Sequence, residues 1–160
     1  MSQLHEAFDA EKYPGDDDIL HCSYDKRWGG TLDGPCRECA EVVQYFRGKG
    51  QYGHNSKQLG WVSYGLVSFT PEAFIYWLPS FIEVAALIPK EADSVSESLE
   101  FRFESVDSKE WQDSHIGNLN THQLTAVKEF FLIQRVRKEV DEETLKSITL
   151  TLKKFNDKSS

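Results

Sequence analysis

Apolar and polar positions along this chain repeat mostly at helical spacing. In residues 2–12, Leu4 and Phe8 stand four apart on one side of a short helix, which Tyr13-Pro14-Gly15 then breaks. Cys39, Val42, Val43 and Phe46 follow the i, i+3, i+4, i+7 rule and predict an amphipathic helix from Cys36 to Phe46, closed by Gly48 and Gly50. Asn55 or Ser56 can cap the next helix, which carries Leu59, Val62 and Leu66. Thr70-Pro71-Glu72-Ala73 is a helix start with a capping hydroxyl and proline in the first turn. That helix is expected to stop or kink at Pro79, restart, and end before Pro89. Residues 90–99 add a short helical piece. Leu99-Glu100-Phe101-Arg102-Phe103-Glu104 alternates apolar and charged side chains, which predicts an extended or edge element with no obvious strand to pair with. Asn120 or Thr121 caps a long helix to about Val140, and its Phe130-Phe131-Leu132-Ile133 run marks it as the central buried helix. Asp141 caps a last helix through Phe155, with Leu145, Ile148 and Leu152 facing inward.

The pattern predicts an all-α domain of about six helices over residues 1–155, with at most a minor strand near 99–104 and a frayed tail over 156–160. The expected core holds Phe46, Leu66, Phe69, Phe74, Trp77, Leu78, Phe81, Leu87, Leu124, Val127, Phe131 and Val136. A chain of 160 residues with 39% apolar and 12% aromatic residues can bury such a core. Charge narrows the partners. The formal net charge is −8, and residues 61–118 carry 10 acids against 3 bases. Such a surface repels nucleic-acid phosphates and suits a basic protein or a cation.

The first residues, MSQLHEAFDAEKY, show no basic segment followed by an apolar run, so no secretion signal is expected. Trp61–Ile88 is broken by Glu72, Pro79 and Glu83 and contains a helix start, so it predicts core and no membrane span. Three cysteines, an odd number, agree with a reducing compartment, and a cytoplasmic location is expected.

Candidate chemistry is sparse. Cys36 and Cys39 have zinc or redox spacing, and His21 and Cys22 lie upstream. Adjacent His21 and Cys22 form a poor chelating pair, however, and both helix cysteines fall on its apolar stripe, where free thiols behave as small hydrophobes. The loop aspartates Asp16, Asp17, Asp18, Asp25 and Asp33 do not form an EF-hand, because counting from Asp16 puts Arg27 at the twelfth position. No nucleophile–base set or phosphate-binding glycine loop is present, so no enzyme and no cofactor is expected. The acids Glu91, Asp93, Glu97, Glu100 and Glu104, with Asp16, Asp17 and Asp18, are the candidate partner-binding residues. Trp111, in the same acidic stretch, suits either an interface anchor or the core.

Three segments together resemble a family of small bacterial proteins known only as a domain of unknown function. They are Tyr13-Pro14-Gly15-Asp16-Asp17, then Cys39-Ala40-Glu41 leading to Tyr45-Phe46-Arg47-Gly48-Lys49, then Ser68-Phe69-Thr70-Pro71-Glu72-Ala73-Phe74 with Tyr76, Leu78 and Pro79. A looser match lies around Leu124 to Phe131. The resemblance implies a small, free-standing protein and no particular reaction. Size, acidity and the missing catalytic set point to an inhibitory binding protein, with an immunity protein against a bacterial toxin or effector as the leading form. The other reading is a metal-binding or enzymatic protein using Cys22, Cys36 and Cys39 or the loop aspartates.

Overall fold

The computed structural model describes residues 2–21, 37–87, 93–104, 109–137 and 140–158. Among these lie eight α-helices, more than the six expected: α1 (Ser2–Phe8), α2 (Arg37–Phe46), α3 (Ser56–Val62), α4 (Pro71–Leu87), α5 (Asp93–Phe103), α6 (Lys109–His115), α7 (Thr121–Val136) and α8 (Glu142–Asn156). A 3-10 segment, Ser63–Ser68, continues α3. The described residues contain no named strand, only an isolated antiparallel bridge between Leu20 and Phe69. The all-α class holds, and the minor strand expected near 99–104 does not form, because those residues are the last turn of α5 and Glu104 directly after it.

Capping explains where the helices begin. The Thr70 hydroxyl accepts from the Ala73 N–H at 3.1 Å, with Pro71 and Glu72 in the first turn of α4. Asn55 accepts from the Gln58 N–H at 3.1 Å to start α3. Asn120 and Gln123 form a reciprocal capping box on α7. The Asp141 carboxylate receives the N–H groups of Glu143 and Thr144 on α8, and these bonds hold its pKa below the usual carboxylate value.

The central helix is α4, not α7. Phe74, Trp77, Leu78, Phe81 and Ala85 of α4 have no exposed surface. On α7, Leu132 and Ile133 are about half exposed, so the apolar run there outlasts the neighbours available to cover it. Two expected core positions also lie outside. Leu87 is 62% exposed at the end of α4 and Val136 is 83% exposed at the end of α7. The other ten expected core residues are buried. Pro79 does not interrupt α4. It withholds an N–H from the carbonyl of Ile75, yet the helix runs on to Leu87 inside its shell of neighbours. Beside it the Ser80 hydroxyl donates to the Gln51 carbonyl, and Gln51 Nε2 donates to the Phe8 carbonyl at 3.1 Å.

Residues 13–17, 45–49 and 68–77 meet at the first half of α4. The Tyr13 ring stands edge-on to Tyr76 and Trp77, with centroids 5.7 and 5.8 Å away. Its hydroxyl donates to Asp16 and accepts from the Gly48 N–H at 2.9 Å. Gly48 can close α2 in this way because its φ is +66°, the left-handed region that glycine favours. Burial, then the bond to Asp16, pushes the Tyr13 phenol pKa up. Arg47 lies 3.7 Å from Asp16, and Thr70 donates to the Asp18 carbonyl at 2.6 Å. Phe46 packs its ring 4.8 Å from Trp77 and 5.1 Å from Phe69.

His54 closes this aromatic cluster. Its Nε2 donates to the Gly50 carbonyl at 2.9 Å, and Nδ1 is hydrogen-bonded to the Tyr45 hydroxyl at 3.0 Å, where a neutral ring accepts. Burial is the main cause that lowers its pKa below 6.5. A depressed imidazole pKa means the unfolded chain binds more protons in acid. The stability His54 contributes is therefore complete above about pH 6.5 and is lost as pH falls through the folded-state value. Thermal melts of wild type should show Tm dropping between about pH 7 and pH 5, and His54→Gln should flatten that drop. Equal slopes for the two proteins would contradict this role.

Candidate functional site

α5 is a helix because its apolar residues have helical spacing. Val95, Leu99 and Phe103 recur every four residues and have no exposed surface. The period-2 pattern of Leu99–Glu104 overlaps this stripe at Leu99 and Phe103, which is why it suggested a strand. Helical geometry then places the acids. Asp93, Glu97, Glu100 and Glu104 stand at i, i+4, i+7 and i+11, which is one face by register. Glu97 is exposed, and Glu100 and Glu104 are half-buried. Thus the structure brings three of the sequence-predicted site residues, Glu97, Glu100 and Glu104, into one row.

Beside that row runs a groove between α5 and the 3-10 segment. Its volume is about 310 Å³, and Tyr64, Leu66, Val67, Glu97, Phe101 and Arg102 line it with the hydroxyls of Ser63 and Ser98. Tyr64, Val67 and Phe101 are 40%, 47% and 50% exposed, a concentration of large apolar side chains at one place on the surface. Trp61, 73% exposed, precedes Tyr64 by three residues. Gly65 lets the 3-10 segment settle against α2, since a Cβ there would stand 2.7 Å from Val42 Cγ2. Ser63 donates to the Gly60 carbonyl of α3 at 2.9 Å, and Ser98 of α5 donates across to Ser63 at 3.2 Å.

The groove has a cationic floor and an acidic lip. Arg102 is 8% exposed, with its guanidinium 4.4 Å from the Phe101 ring centre and 5.3 Å from that of Trp111. Trp111 is half-buried. It donates its indole N–H to the Val67 carbonyl at 3.1 Å and stacks on His115 at 4.2 Å, so it braces the groove from inside the fold. The buried His115 in turn bonds through Nε2 to the Phe69 carbonyl at 2.8 Å.

The other predicted site residues are placed differently. Asp16, Asp17 and Asp18 are exposed, but Asp16 is tied to Tyr13 and to Arg47 beyond the end of α2, so it serves the fold. Asp113 lies among Lys109, Lys154 and Lys158, and the hydrogen bond from Lys109 is the chief cause lowering its pKa. Glu91, Asp25, Asp33, Cys22 and Cys36 lie outside the described residues, and so does the side chain of Asp93. Cys39 is half-buried against the core. Among the described residues, no group of three or more His, Cys, Asp or Glu is placed to hold a metal ion. None of the described helices is long and apolar enough to cross a membrane.

Fold and surface together define a helical protein with an acidic row flanked by an aromatic-lined groove. Comparison with family models, with curated proteins and with solved structures finds no match for the chain.

Proposed function

We propose that the chain is an acidic cytoplasmic binding protein that inhibits a basic protein partner, in its specific form an immunity protein that neutralises a bacterial toxin or effector. One observation carries the reading: α5 lines up Glu97, Glu100 and Glu104 on one face, beside exposed Tyr64, Val67 and Phe101. Carboxylates in a row make the local potential negative and steer a basic partner, while exposed aromatic and aliphatic groups supply the apolar contact that holds it. Asp17 and Asp18 are further candidate contacts.

Growth of cells carrying the chain together with the protein encoded next to it tests this reading. The neighbour alone should arrest growth, and wild type should restore it. The triple variant Glu97→Lys, Glu100→Lys, Glu104→Lys should not. A harmless neighbour, or full protection by the triple variant, would overturn the proposal.

A further inference from the structure

We infer that the groove between the 3-10 segment and α5 seats one apolar or aromatic side chain of a basic helical segment, whose cations lie along the α5 acids. The inference rests on the protein-binding reading above and adds the chemistry of what is bound.

The groove walls favour an uncharged occupant. Leu66 is buried at 1% exposure, and the ring of Phe101 and the methyls of Val67 stand half exposed around it. Its hydroxyl donors are committed within the fold: Ser63 to Gly60, Ser98 to Ser63, and Tyr64 to the Glu38 carbonyl at 3.3 Å. A leucine, methionine or aromatic side chain matches these walls, asks nothing of the committed hydroxyls and removes apolar surface from water.

The row of acids tells what flanks that anchor. Positions 93, 97, 100 and 104 repeat at the spacing of one helix face, and cations at the same spacing on a partner helix can face them in turn. At about 310 Å³ the groove has room for a large side chain, which would serve as the anchor beside a line of charges.

A display library of short helical peptides tests this directly. Each peptide carries lysines at the 93–97–100–104 spacing and one randomised position beside them. Leu, Met, Phe, Tyr or Trp should be enriched there on wild type. Val67→Asp, at a half-exposed position, should weaken the enriched peptide about tenfold or more, while the same peptide with alanine at the anchor stays within about twofold. Enrichment of charged residues, no enrichment, or equal binding of the enriched peptide to Val67→Asp would overturn the groove assignment and leave the acidic face standing. Failure of every lysine peptide to bind at low salt would overturn both.

Discussion

Replacing Trp77 with alanine should destabilise the protein by about 3–5 kcal/mol, the usual cost of emptying a large aromatic site in a core. Trp77 has no exposed surface and contacts the rings of Phe46, Phe69, Tyr13 and Tyr76. Its indole N–H also donates to the Gly50 carbonyl at 3.3 Å. The substitution therefore opens a cavity and removes one of the two donors to that carbonyl, which keeps its bond from His54 Nε2. Small domains have about 5–15 kcal/mol in total, so the variant should fall close to the edge of folding. Urea unfolding measures it. Trp77→Phe keeps most of the ring contacts and should retain more than half of the lost stability. A cost under about 1 kcal/mol for the alanine variant would mean that α4 is not the centre of the core.

The capped helices were the most legible parts of the chain. Asn55, Thr70, Asn120 and Asp141 act through neighbours two or three residues away, so their roles can be read locally. Exposure was harder, since it depends on what lies across from a helix. Leu87, Leu132, Ile133 and Val136 are apolar and on helices, yet no local pattern says that nothing covers them. Continuation of α4 through Pro79 likewise depends on tertiary packing, which outweighs one missing hydrogen bond.

α5 shows the same limit at the candidate site. Its acids were visible as a charge run, but two periods competed over Leu99–Glu104. The stripe of Val95, Leu99 and Phe103 decides for the helix, because all three are buried together. Had that period been preferred, Phe101 would have stood out as a ring lying off the buried stripe. The groove itself was not legible. It exists only because the 3-10 segment and α5, some thirty residues apart in the chain, lie side by side. Tyr13, Gly48 and Thr70 form a joint that positions α4 and is not the proposed contact surface.

Reversing the charge of Glu97, Glu100 and Glu104 should have the largest effect on binding. The change replaces three negative charges with three positive ones on a single face, and a steered association can run two or more orders of magnitude above an unsteered one. At low salt the triple lysine variant should therefore associate about 100-fold more slowly with the neighbour-encoded protein, and the glutamine triple about tenfold more slowly. None of the three side chains belongs to the Val95–Leu99–Phe103 stripe. Melts of the variants should confirm that the fold is kept, which separates lost steering from lost structure.

The association rate as a function of ionic strength, for wild type and the triple lysine variant, tests the central claim that the α5 face receives the partner. Wild type should lose rate steeply as salt rises, and the variant should start far lower and approach it at high salt, where the Debye length shrinks to about 3 Å. Equal rates and equal salt slopes for the two proteins would contradict the claim and move the contact surface away from α5.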